Sequence, residues 1–157
     1  MNAYRIRPLK YPWPPVFYVV AVAVALGISK FVPLHIVEQK RLWLQACGAT
    51  LFLIGVGIAL WAFLTLLSHH TSVLSTSACN RLVTCGPFRV TRNPIYLGYT
   101  LVTLSLGLIT ANGWIIAAAI ISAAVTHLYV IRREEKHLLA RFGFEFERYC
   151  RRTRAWI

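Results

Sequence analysis

Two groups of polar residues interrupt an otherwise apolar chain, and their residue types could do chemistry together. The first lies in residues 82–98, LVTCGPFRVTRNPIYLG. Gly86-Pro87 marks a turn, because Gly tolerates unusual dihedrals and Pro fixes φ. Arg89 and Arg92 follow. Asn93-Pro94 then reads as a helix start, with Asn as N-cap and Pro at the first helical position. Cations and unpaired backbone N–H groups therefore gather where an apolar helix begins, an arrangement suited to an anionic or zwitterionic ligand. A basic loop flanking a membrane span would account for the charges alone.

The second group follows the last apolar run: His127, Tyr129, Arg132, Arg133, Glu134, Glu135, Lys136 and His137. If the helix continues through it, His127, Ile131, Glu134 or Glu135, and Leu138 fall on one face at three- and four-residue steps. A carboxylate pair beside a span is costly to bury unless it meets cations. Arg132 and Arg133 precede it, and an antiparallel hairpin of the two intervening apolar runs would bring Arg89 and Arg92 close. A solvated, salt-bridged helix end is the plainer alternative.

The elements that must position these groups follow from composition. Apolar residues make up 57% of the 157 residues and charged residues 14%, against about one-quarter charged in soluble domains. Mean hydropathy is +0.58. The chain therefore reads as one all-α, polytopic membrane domain, 1–157, with four spans at about 16–32, 42–67, 95–110 and 114–131, and a helical tail over 132–157. Gly48, Gly55 and Gly57 in the second run, and the Ala118/Ser122 and Ala119/Ala123 pairs in the fourth, permit close helix approach in lipid. Gly55-Val56-Gly57 is no nucleotide loop, having no flanking strand. Ala111-Asn112-Gly113 is a tight turn that forces spans three and four into a hairpin.

The net charge of +12 does not point to nucleic acid, because the cations cluster at the ends of apolar runs. Anionic lipid headgroups are the expected counter-surface. With four spans, Arg5, Arg7, Lys10, Arg81, Arg89, Arg92 and eight tail cations share one side, against Lys30, Lys40 and Arg41 on the other. Both termini and the loop over 82–98 are thus expected in the cytoplasm of a bacterial inner-membrane protein. Aromatic and Pro-rich residues before position 16 read as an interfacial lead-in, and no cleaved signal peptide is expected. Cys47, Cys79, Cys85 and Cys150 make no CxxC pair, so no metal or redox motif is read, and cytoplasmic thiols stay reduced.

Gly86-Pro87-Phe88-Arg89-x-x-Arg92-Asn93-Pro94-x-Tyr96-x-Gly98 closely resembles the signature of the isoprenylcysteine carboxyl methyltransferase and phospholipid methyltransferase group. Glu134-Glu135, Leu138, Phe142-Gly143 and Tyr149 resemble its second signature, and Arg154-Ala155-Trp156-Ile157 its usual ending. The resemblance covers about half the chain. It implies an integral-membrane enzyme using S-adenosylmethionine on a lipophilic acceptor. By resemblance, Glu134 and Glu135 take the cofactor's amine and a ribose hydroxyl. Arg92, or N–H groups near Asn93 and Pro94, take its carboxylate, while Phe88, Tyr96 and Leu97 line the adenine pocket and Gly98 belongs to the same cofactor-binding segment. His127, Arg133 and Glu134 are the catalytic candidates, a base being needed for an amine acceptor but not for a thiolate or carboxylate. Prenylated peptide, phospholipid amine, quinone-like ring and small lipophilic thiol all remain open as acceptor. A soluble Rossmann-type cofactor site is excluded, since it needs strands and a Gly-rich loop. The competing classes are an NADPH-dependent membrane reductase, which needs many more spans, and a non-enzymatic or degenerate membrane relative.

Overall fold

The computed structural model describes residues 13–34, 36, 41–69 and 82–157, apart from the side chains of Trp13 and Arg41. The basic lead-in, much of the loop between the first two runs, and the Ser/Thr/His-rich stretch with Cys79 and Arg81 lie outside the described residues. The helices are α1 (Trp13–Phe31), α2 (Arg41–Ser68), α3 (Pro94–Ile109), α4 (Gly113–Val125), α5 (Arg132–Phe142) and α6 (Phe144–Arg152). A 3-10 turn, Gly86–Arg89, precedes α3, and a π-helical stretch, Thr126–Ile131, joins α4 to α5. No strand occurs among the described residues; one isolated parallel bridge links Thr91 to Arg154.

The first four helices alternate in direction. Near one end, Asn112 Nδ2 donates to Ser29 Oγ at 2.9 Å and Trp114 Nε1 donates to the Val32 carbonyl at 2.7 Å. Near the other, the hydroxyls of Tyr18 and Thr100 share a hydrogen bond of 2.7 Å. Hence α1 runs parallel to α3 and antiparallel to α4. Asn112 caps α4 by accepting from Trp114 N at 3.0 Å. The turn before it closes with Asn112 N donating to the Gly107 carbonyl and Ala111 N to that of Leu108. Ala111, at φ 51°, takes the left-handed position there, where Gly is the usual occupant.

Lipid offers helices no hydrophobic reason to associate, so close packing must hold them. Of the three α2 glycines expected to serve this, Gly48 and Gly55 do and Gly57 does not. A methyl group built on Gly55 would lie 3.1 Å from the Gly98 carbonyl oxygen, and one on Gly98 would lie 2.8 Å from that of Gly55. A methyl on Gly57 meets nothing within 4 Å. Small residues also line the α1–α4 contact, where Ala25, Ile115 and Ala118 form a buried cluster. Elsewhere the packing is inside out: Val19, Val24, Leu53, Leu64, Ile120 and Ile121 all point outward. Such a belt is a liability in water and the natural exterior in lipid.

Among the described residues, three helices are long and apolar enough to cross a membrane: Pro14–Phe31, Leu42–Ser68 and Gly113–Phe142. The last unites α4, the π-helical stretch and α5 in 30 residues, so the fourth run continues unbroken into the charged tail. The expected third span, α3, is apolar but only 16 residues long. At 1.5 Å per residue it measures about 24 Å, short of a hydrocarbon core of about 30 Å. The π turn is the other departure from a plain helix. It takes in an extra residue, which displaces the faces beyond it by roughly 100°.

Gly98→Ala should push α3 from α2, because backbone atoms on both sides cannot yield. Overpacking of this kind costs about 1–3 kcal/mol, visible as a lower thermal midpoint in detergent. Gly57→Ala should leave the midpoint unchanged or raise it.

Candidate functional site

The polar loop is held by the chain's own C-terminal segment. Beyond the 3-10 turn, Arg92 N donates to the Arg154 carbonyl at 2.9 Å. Thr91 Oγ1 and Asn93 Nδ2 both donate to the Ala155 carbonyl, at 3.1 and 2.8 Å. Tyr149 OH donates to the Phe88 carbonyl at 2.6 Å. Residues after α6 thus form a strap laid along 91–93. A buried backbone segment must find partners for its N–H and C=O groups, and here the strap supplies them.

Arg92 ties this assembly to α5. Its Nε donates to Glu135 Oε1 at 3.1 Å and its Nη2 donates to the same oxygen. Its Nη1 donates to the carbonyls of Thr153 at 2.6 Å and Cys150 at 3.2 Å. The Arg92 and Glu135 side chains are only 14% and 27% exposed, so the pair is shielded from solvent. Four of the five guanidinium N–H groups are engaged, which only Arg's planar fork allows. One turn into α3, Tyr96 OH donates to Glu134 Oε1 at 2.9 Å. The cationic loop and the acidic start of α5 are therefore together, as the hairpin requires.

The other sequence-predicted residues separate by environment. Asn93 stands at the cap position of α3, but its side chain makes no capping bond and reaches the strap instead. The first-turn N–H groups of Ile95 and Tyr96 thus receive no cap from it. Phe88 is half-buried beside this region. Pro94, Leu97 and Gly98 are buried in the bundle, and Gly98 packs against α2. His127, in the π turn, accepts at Nδ1 from Trp156 Nε1 at 3.2 Å. Arg133 is exposed and forms no hydrogen bond or ion pair with a described residue. Sequence reasoning missed Thr153 and the Cys150 carbonyl, because main-chain acceptors at the end of a helix and in an aperiodic strap carry no signal. Tyr149, Ala155 and Trp156 were legible only as motif positions.

Burial raises the Tyr149 hydroxyl well above its ordinary range, partly opposed by Arg92, so it remains a donor to Phe88. Burial also pushes the Cys150 thiol up, with Arg92 opposing and Glu135 and Glu147 reinforcing the shift.

A family model described as phospholipid methyltransferase matches residues 43–145. The nickel-cobalt-cadmium resistance protein NccN of Alcaligenes xylosoxydans xylosoxydans is 32% identical over 150 residues, covering 92% of this chain and 62% of the relative. The cobalt-zinc-cadmium resistance protein CzcN of Cupriavidus metallidurans is 33% identical over 119 residues, covering 73% of this chain and 51% of the relative. The chain thus spans between half and two-thirds of the length of these curated relatives. No solved structure matches it significantly.

Arg92→Ala strands a shielded carboxylate and two carbonyls, and should cost about 2–4 kcal/mol. The thermal midpoint should fall, and adding Glu135→Gln should recover part of the loss. Cys150, with its raised pKa and partial burial, should react with maleimide at pH 7 more slowly than the exposed Cys85, as peptide mass mapping of labelled protein would report.

Proposed function

The chain belongs to the phospholipid methyltransferase family, and from that premise we propose that it is an integral-membrane, S-adenosylmethionine-dependent methyltransferase acting on a lipophilic acceptor. The observation that carries this reading is the meeting of Glu134 and Glu135 with Tyr96 and Arg92 at the first turn of α3. The donor and acceptor set fits such a cofactor: carboxylates for an ammonium group, a guanidinium and first-turn N–H groups for a carboxylate, and Tyr96 and Phe88 for a flat base. Bound there, the cofactor would supply a methyl group on a sulfonium cation.

The chain's own part is binding and alignment. Glu134, which accepts from Tyr96 OH at the first turn of α3, takes the amine. Glu135 holds Arg92, so its role is to fix the loop against α5. Arg92 retains one N–H, which with those of Ile95 and Tyr96 receives the carboxylate. Transfer requires donor and acceptor in line, about 3–3.5 Å apart, away from water. A site at the membrane boundary meets this by admitting the polar partner from the aqueous phase and the lipophilic one from the bilayer. With Nδ1 accepting from Trp156, a neutral His127 carries its proton on Nε2 and presents a donor. That suits a thiolate or carboxylate acceptor; an amine would require the Trp156 contact to open before His127 served as base. The cytoplasm is proposed as the aqueous side and the bacterial inner membrane as the location. The described cations of the loop and tail collect at one end of the bundle, with Lys30 and Arg41 at the other.

The test is equilibrium binding of labelled S-adenosylmethionine to the full chain in detergent. Binding is expected, and Glu134→Gln should weaken it about tenfold or more, the scale of a charge-assisted hydrogen bond, with the thermal midpoint unchanged. Absence of binding by the folded wild-type chain would overturn the reading, as would saturable binding of a reduced nicotinamide dinucleotide in its place.

A further inference from the structure

A second polar site borders the strap at Thr153. A cavity of about 580 Å³ opens between residues just before the 3-10 turn and α6, within the range of about 300–1,000 Å³ typical of small-ligand sites. Among the described residues, Arg89, Arg148 and Arg152 line it, with Thr84, Thr153 and a single carboxylate, Glu145. None of Phe88, Arg92, Asn93, Tyr96, Glu134 or Glu135 does. The three arginines are exposed, and none forms an ion pair with a described residue. Arg148 instead rests 5.1 Å from the Phe144 ring, a contact that holds the guanidinium extended without neutralising it.

Three cations facing one carboxylate leave an excess of two positive charges around a concave space. Guanidinium groups with hydroxyls beside them match the oxygens of a phosphate group. The surroundings are those of a membrane boundary. Phe144 and Val90, sequence neighbours of Glu145 and Arg89, are 66% and 64% exposed, and the cavity sits at the loop end of the helical bundle. We infer that this cavity binds a phosphate group, and that Arg89, Arg148 and Arg152 are its ligands. The exposed apolar residues next in sequence to its lining favour an anionic phospholipid headgroup as the source over free phosphate. This site is independent of the cofactor reading, since the two share no side chain.

The experiment is native mass spectrometry of the full chain in detergent, titrated with phosphatidylglycerol or with phosphatidylcholine. The wild-type chain should retain phosphatidylglycerol over phosphatidylcholine. Each arginine removed should weaken retention about fivefold, so Arg148→Ala/Arg152→Ala should lose about twenty-five-fold. Arg151→Ala, an exposed change outside the cavity, should lose nothing. If the double variant proves unstable, Arg148→Lys/Arg152→Lys should retain the lipid more weakly than wild type while keeping its midpoint. Competition by millimolar inorganic phosphate would assign the site to a free anion; persistence of the lipid would assign it to the headgroup. Equal retention by wild type and the double alanine variant, or equal retention of the two lipids, would overturn the proposal.

Discussion

The guanidinium of Arg92 is the point at which three separately encoded parts of the chain are joined. It leaves the loop before α3, takes the carboxylate of Glu135 on α5, and takes carbonyls at the end of α6 and the start of the strap. A shielded cation is expensive to leave without partners, and so is a shielded carboxylate. Once the hairpin brings them together, each removes the other's penalty. Lys could supply the charge but not the forked donors that serve both the carboxylate and the carbonyls. The loop, the acidic turn and the strap therefore form one unit.

The short third helix explains why that unit must be internally satisfied. At 16 residues α3 does not reach across a typical hydrocarbon layer. Its polar start is drawn toward the apolar boundary, where water is a poor partner for free N–H and C=O groups. The glycine contacts between α2 and α3 fix its depth, leaving little freedom to slide outward. The strap then does what bulk water cannot: it offers carbonyls to Arg92, Thr91 and Asn93. Close packing in the bundle and hydrogen bonding at its end are two consequences of one constraint on length.

The sequence made the helices legible because apolar runs and their breakers encode them locally: the bounds of α1, α2 and α3 lie within a few residues of those read from the pattern. Gly143, a position of the second signature, ends α5 at φ 50°, a backbone conformation that favours Gly. The juxtaposition of Arg92 with the Glu pair followed from the tight turn at Ala111-Asn112-Gly113. What escaped depends on distant contacts. Nothing in Thr126–Ile131 marks a π turn, since its composition suits an ordinary helix as well. Asn93 looked like a cap and occupies the cap position, but a competing acceptor 62 residues away won its side chain. The strap has no periodicity from which to read a partner.

Glu134 and Glu135 are adjacent in sequence and divergent in space, because successive residues on a helix point about 100° apart. A pair of carboxylates facing one ligand would suffer mutual repulsion, and each would raise the other's affinity for a proton. The helix instead divides them. Glu135 is committed to Arg92 by two hydrogen bonds, whereas Glu134 has a neutral phenol at Oε1. The two carboxylates therefore tie α5 to different points, Glu135 to the loop and Glu134 to the first turn of α3. On the proposed reading, Glu134, beside the first turn of α3, meets the cofactor's ammonium group, and Glu135 acts by holding the loop in place to receive it.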